Sequence, residues 1–529
     1  MKSDSKLPSG PSAAEEWRPK ANPWLIACAV MLGTFLEILD TTVVSVAIPN
    51  IAGSLAATNE EATRVLTCYL IANAIVLPAS AWLSLRFGRK RFLLACTGLF
   101  TFASFLCGIA PSMGFLLLAA ALQGIGGGAM VPLSQAILLE SFPPAKRGMA
   151  MAMFGLGVVV APVVGPVLGG WLTDNYSWRW IFEINIPIGI AACILMARYV
   201  EDPPYIRDAK PGPLDGVGLG FLSLWLATLQ IVLDNGQRAD WFGSAWIVWL
   251  TVISVAALAM LLVRELRTKN PLIDLRVFLD RNFWIGSALM TVLCAAMYSS
   301  IIGLPLFLQT LMGYSAELSG LATAPRGIGA AIAMPVAGYL MSYVDGRRLI
   351  VFGVCLLGLA SFLLGGVNLD ISAESVVWPC VVQGIGIGFA MVPLMTLAMS
   401  TLRNEQIGNA SGLFNLVRNV GGSIGIAMTT TYLARGAQSH YSLMVSHLTP
   451  YDPVYQQRLA ALQGGLTPLA GAPQAQHQAH GIVQGIVLQQ ASLSAFIDTF
   501  YWTALALALC IPWAFLMKKV LSRGTVAAH

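Results

Sequence analysis

Apolar runs of membrane-spanning length, parted by short polar stretches, recur along this chain from Trp24 to Met517. They fall at 24–50, 63–85, 92–110, 114–139, 148–172, 180–199, 214–233, 243–263, 284–309, 319–341, 349–367, 376–401, 409–433 and 495–517. About twenty apolar residues in a helix cross the roughly 30 Å hydrocarbon core of a bilayer, so the pattern predicts about fourteen transmembrane helices. Lipid offers the backbone no partner, and helices satisfy themselves; the expected fold class is all-α integral membrane. The fifth run differs from the rest. Gly157, Ala161, Gly165 and Gly169 recur every four residues there, leaving a stripe almost without side chains where another helix can approach backbone to backbone. Pro162 and Pro166 each remove a backbone donor, which frees two carbonyls and bends the helix where it packs.

Composition agrees with the pattern. Charged residues are 11% of the 529, against about 25% in soluble domains. All nine cysteines fall inside the apolar runs, which predicts buried thiols and no disulfide framework. Residues 1–22 are polar, with no apolar core, and are expected to form a disordered tail instead of a cleaved signal. If the spans alternate, Lys2, Lys6, Arg18 and Lys20, then Arg86, Arg89, Lys90 and Arg91, then Lys146 and Arg147, and finally Lys518 and Lys519 share one side. That bias predicts two cytoplasmic termini, and the net charge of +5 reports topology and implies no nucleic-acid partner.

The chain also repeats itself. LQGIGGGAMVPL at 122–133 returns as VQGIGIGFAMVPL at 382–394 with one residue inserted, which predicts two related bundles and a substrate path between them. Further strings are LDTTVVSVAIPNI from Leu39, WRWIFEINIPIG from Trp178, PLIDLRVF from Pro271, RNVGGSIG from Arg418, and AWLSLRFGRKR from Ala81. Together they resemble the major facilitator superfamily, and within it the fourteen-spanner drug:proton antiporters of the EmrB/QacA type, EmrB-like multidrug exporters in particular. The resemblance implies a major facilitator fold with two six-helix bundles plus two extra central helices. Its expected division is a tail at 1–22, a bundle at 23–200, the extra pair at 201–280, a second bundle at 281–517 with an outward loop at 434–494, and a tail at 518–529.

Residue roles follow from the same resemblance. Gly157, Ala161, Pro162, Gly165, Pro166, Gly169 and Gly170 match the antiporter motif of the fifth helix, so the stripe is expected to close the outer gate against the second bundle. Arg86, Gly88, Arg89 and Lys90 match the cytoplasmic loop motif, but Leu85 replaces its acid and Ala81 its first glycine. Ala120 stands where the fourth helix of relatives carries an arginine, so proton coupling cannot run through that position. The intramembrane cations left are Arg326 and Arg418, which are either functional or tied to backbone carbonyls.

Glu37 and Asp40 lie one turn apart, about 60° around a helix, and two carboxyls in one wet cavity are what a proton carrier needs. The family's acid maps onto Asp40, with Glu37 or Glu183 as the fallback and Arg418 as the candidate counter-charge. Met391, Met395 and Met399 recur every four residues and offer an adaptable apolar wall, while Gln123 and Gln383 supply polar contacts. The outward loop holds His440, His447, His477 and His480, whose spacing makes no recognisable metal-ligand set. The implied function is proton-coupled efflux of hydrophobic or amphipathic toxic compounds across a bacterial inner membrane. Implied partners are a periplasmic adaptor of the EmrA type and an outer-membrane channel of the TolC type. The rivals are a dedicated exporter of one metabolite, such as a siderophore, and a membrane-embedded lipid-modifying enzyme. The enzyme lacks support, because no histidine lies in any span and no nucleophile and base pair is evident.

Overall fold

A computed structural model describes residues 19–57, 59–143, 146–207, 215–268, 273–314, 316–369, 371–449, 451–470 and 472–518. The regular structure among them is helical throughout. The first half comprises α1 (Pro23–Ser54), α2 (Asn59–Phe87), α3 (Arg89–Gly108), α4 (Met113–Gly127) continuing as α5 (Met130–Ser141), α6 (Arg147–Asn175), and α7 (Trp180–Glu183) continuing as α8 (Asn185–Tyr199). After the short α9 (Pro204–Arg207) comes a pair, α10 (Gly216–Asn235) and α11 (Ala245–Arg267). The second half comprises α12 (Arg281–Thr310), α13 (Ala316–Thr323) with α14 (Pro325–Leu340), α15 (Gly346–Leu364), α16 (Ala373–Met399), α17 (Asn404–His447), α18 (Pro453–Ala470) and α19 (Ala472–Phe515).

Each expected span falls on a helix or on a pair of abutting helices. Among the described residues, eleven helical stretches, with α4–α5 and α7–α8 each taken as one, are long and apolar enough to cross a membrane, and α2, bent by 59° between Leu77 and Ala79, makes a twelfth. The α13–α14 segment is divided where Pro325 cannot donate to the Leu321 carbonyl. The early part of α17 carries Asn409, Asn415, Arg418 and Asn419, which lower its hydropathy. Pro187 interrupts the sixth span in the same manner, at the α7–α8 junction.

Two bundles result, meeting along two seams. At one, α6 packs on α13, α14 and α16; at the other, α17 packs on α2 and α5. The extra pair lies against the second seam, with α10 touching both α2 and α17. The Gln-Gly repeat is structural as well as sequential. A Cβ at Gly124 would strike the Tyr69 carbonyl on α2, and one at Gly384 would strike the Arg326 carbonyl on α14, so in each bundle the repeat glycine lets two backbones touch.

One expectation changes. Of the nine cysteines, all free, Cys28 and Cys355 are exposed and are not buried thiols. The outward loop is mostly helix: α17 runs on to His447, α18 follows, and α19 returns. Most of the expected tails, residues 1–18 and 519–529, lie outside the described residues, as do residues 208–214 and 269–272 of the central stretch.

Candidate functional site

The acids of α1 are both inside the protein, Glu37 at 8% exposure and Asp40 at 2%. Asp40 Oδ1 accepts hydrogen bonds from Gln123 Nε2 of α4 at 2.9 Å and from Asn185 Nδ2 of α8 at 2.5 Å. Both amides also donate to Ser104 Oγ of α3, at 3.1 and 2.9 Å, and Ser104 donates to the Phe182 carbonyl at 3.0 Å. Glu37 Oε1 accepts instead from two α2 groups, Asn73 Nδ2 at 2.9 Å and the Tyr69 hydroxyl at 3.5 Å. The expected shared cavity is therefore replaced by two partner sets, because the rotation over three residues turns one acid toward α2 and the other toward α3, α4 and α8. Asp40 has neutral partners, and Asn185 Oδ1 is a buried acceptor without a hydrogen bond. A site with amide donors and a spare acceptor can satisfy a carboxylate or a carboxylic acid.

Between the bundles lies a cavity of about 140 Å³. Ile38 of α1 and Val158 and Pro162 of α6 line it from the first bundle. From the second come Met297, Tyr298, Ile301 and Pro305 of α12, Gly320 and Thr323 of α13, Arg326 of α14, Ile387 and Met391 of α16, and Arg418 of α17. It is smaller than the roughly 300 Å³ and above of common small-molecule sites, so the bundles must part to admit a drug-sized compound.

Several sequence candidates sit elsewhere than expected. Arg418 acts electrostatically on Glu37 across the seam and is not a partner of Asp40. Glu183, on the short α7, is half-buried and packs against Gly108 of α3, while its neighbour Asn185 reaches Asp40. Met391 lines the cavity, but Met395 and Met399 are core side chains at 1% and 2% exposure. Gln123 and Gln383 lie behind the cavity wall, the latter accepting from Ser300 Oγ at 3.2 Å. His440 Nε2 lies 2.9 Å from Asp498 Oδ2, and Tyr455 lies 3.3 Å from His480.

The small-residue stripe faces α1 of its own bundle. A Cβ at Gly157 would meet the Met31 methyl, one at Gly165 the Thr42 hydroxyl, and one at Gly169 the Val43 carbonyl at 3.1 Å. Ala161 is fully buried, Gly170 faces open space, and the side chain of Pro166 lies outside the described set. The opposite face of α6 meets the second bundle: a Cβ at Gly148 would lie 3.0 Å from the Gly338 carbonyl, and one at Gly155 3.1 Å from Met334 Sδ.

In the loop motif, acids from other elements replace the one that Leu85 displaces. Arg89 forms a buried ion pair with Glu140 of α5. Asp202 Oδ1 accepts from the Lys90 backbone N–H at 2.8 Å, beside Gly88 at φ +85°. Arg86 is exposed. Below the extra pair, a bidentate hydrogen bond from Arg264 holds the Asp215 carboxyl below the usual carboxylate range.

Sequence reading missed a polar cluster across the second seam. Ser411 Oγ of α17 lies 3.0 Å from both the Pro132 carbonyl and Gln135 Oε1 of α5, and Asn415 Nδ2 donates to the same Gln135 oxygen at 2.5 Å. All three side chains are at most 1% exposed. The available signal, for these as for Asn73 and Asn185, was an amide inside an apolar run.

A family model described as Major Facilitator Superfamily matches residues 30–426. Multidrug export protein EmrB of Escherichia coli (strain K12) is 37% identical over 494 residues, covering 92% of this chain and 93% of that one. Fatty acid resistance protein FarB of Neisseria gonorrhoeae is 34% identical over 502 residues, covering 94% and 97%. Colistin resistance protein EmrB of Acinetobacter baumannii is 30% identical over 487 residues, covering 91% and 94%. Among solved structures, the human organic anion transporter MFSD10 (TETRAN) superposes with a TM-score of 0.58 at 15% identity, covering 92% of this chain and all of its own, a likeness of fold alone.

Proposed function

The chain belongs to the major facilitator superfamily, and we propose that it exports hydrophobic or amphipathic toxic compounds in exchange for protons, as a multi-pass protein of a bacterial inner membrane. Relatives named for multidrug export and fatty acid resistance support this reading. The observation that carries it is the cavity at the bundle interface with a carboxyl pair beside it on α1. Parting either end of the seams exposes the cavity to one side at a time, and a proton taken up at Asp40 or Glu37 changes which arrangement is favoured. Asp40 is the proton carrier in this reading, and Asn185 and Gln123, both braced by Ser104, hold it in either charge state.

In this reading both termini are cytoplasmic, which the bias of basic residues toward one side supports, and the helices beyond the membrane, from the end of α17 to the start of α19, face outward. There they meet a periplasmic adaptor of the EmrA type leading to a TolC-type channel. The decisive test is growth of a deletion strain and an overexpresser against a panel of dyes, uncouplers, fatty acids and antibiotics. Protection against several unrelated compounds, abolished when the proton gradient is collapsed, is expected. Protection against one metabolite alone makes this a dedicated exporter, and protection against none overturns the efflux reading.

A further inference from the structure

The walls of the central cavity differ in charge. Arg326, 5% exposed, and Arg418, 8% exposed, both line it from the second bundle. Neither forms an ion pair among the described residues. Arg326 Nη2 donates to Ser300 Oγ at a long 3.4 Å, and its Nε, like Arg418 Nη1, is buried without a hydrogen-bond partner. A guanidinium withdrawn from water needs acceptors along its planar edge, and here part of each edge has none. Glu37, whose charge acts on Arg418, spends one carboxylate oxygen on Asn73 and Tyr69 of its own bundle.

The internal repeat explains the imbalance. One sequence offset relates Gln123 to Gln383, Asp40 to Ser300 and Glu37 to Met297, so the second bundle carries a hydroxyl and a thioether where the first carries two acids. The second bundle therefore supplies its own arginines no acid at those positions, and the acid that acts on Arg418, Glu37, belongs to the first bundle and is already bonded there. The remaining wall is mostly apolar, with Val158 and Pro162 of the first bundle and Ile301, Ile387 and Met391 of the second, and hydroxyls at Tyr298 and Thr323.

We propose that this cavity is the head-group site for an amphipathic anion. A carboxylate, or an anion of similar size and geometry, is held between Arg326 and Arg418 by charge-assisted hydrogen bonds, and its apolar body lies along α6 and α16. An amphipathic cation of equal length is repelled by the same pair. The proposal rests on the efflux reading for the identity of this ligand as cargo, but its chemistry is tested by binding alone, with no gradient present.

The test uses the full chain in phosphatidylcholine nanodiscs and three probes with the same ten-carbon tail: decanoate, decanol and decyltrimethylammonium. Decanoate is expected to bind about tenfold or more tightly than the other two, as a buried charged hydrogen bond provides. Arg326→Gln and Arg418→Gln are each expected to erase that preference, and Arg326→Lys to keep most of it. Equal affinity for decanoate and decanol in the unaltered protein overturns the proposal without reference to any variant. Loss of decanoate binding when phosphatidylglycerol replaces phosphatidylcholine also overturns it, by assigning the site to anionic lipid. If the preference holds in nanodiscs while the growth panel shows no protection, the site stands and the efflux reading falls.

Discussion

At the level of single residues, the partners of an acid decide what it does. Asp40 is bonded to two amides and to no cation among the described residues, so its charge state follows the proton and is not fixed by a counter-ion. Asp40→Asn mimics the protonated acid permanently. Binding of a neutral apolar substrate is expected to survive, while substrate-induced proton release from purified protein in weakly buffered detergent disappears. Equal release from both proteins would move the carrier role to Glu37. Gly165 makes a second case. Its Cβ position is already occupied by the Thr42 hydroxyl of α1, so Gly165→Leu overpacks the first bundle and should cost about 1–3 kcal/mol of stability. A clear drop in unfolding temperature together with lost export is expected. Lost export at an unchanged unfolding temperature would return the stripe to the role of a gate.

At the scale of helices, the seam between α5 and α17 is held by few but strong polar contacts. Asn415→Leu deprives Gln135 of its buried donor and leaves that oxygen with Ser411 alone, at a cost of about 1–3 kcal/mol to the closed seam. Faster hydrogen exchange in the second half of α5 and the first turns of α17 is the expected result, and an unchanged exchange pattern would show that the cluster is not a latch. This scale also separates what the sequence could tell from what it could not. Span positions were legible because an apolar run of fixed length has one solution in a bilayer, and the bundle repeat because Gln-Gly and Met-Val-Pro-Leu recur in order. Glu37, Asp40, Arg326 and Arg418 stood out because a charge in such a run is costly. Their partners did not. Which helix Gly165 faces, or that Asn185 and not Glu183 reaches Asp40, depends on helix rotation, and a helix apolar all round gives no moment from which to read it.

At the scale of the whole molecule, the two longest helices outrun the membrane. α17 and α19 have 44 residues each, about 66 Å at 1.5 Å per residue, while about twenty residues suffice to cross. The surplus, with α18 between, forms a helical projection whose Tyr451, Val454, Leu443 and Leu488 are exposed although water is their expected surrounding. Exposed apolar side chains on a polar projection suit a protein partner, and the reading above makes that partner a periplasmic adaptor. Replacing residues 442–490 by a short flexible linker tests this cleanly. Among the described residues the cut removes one hydrogen bond to the bundle, from Gln489 to the Leu311 carbonyl at 3.1 Å, but leaves His440 against Asp498 and Gly436 against Ala495 below it. The membrane part should therefore stay closed, and substrate transport in proteoliposomes should continue at the full-length rate. In cells, adaptor crosslinking and resistance should both be lost, because cargo released short of the outer-membrane channel re-enters. Crosslinking and resistance that survive the cut would make the projection a spacer. Loss of transport in proteoliposomes would make it part of the transport machinery.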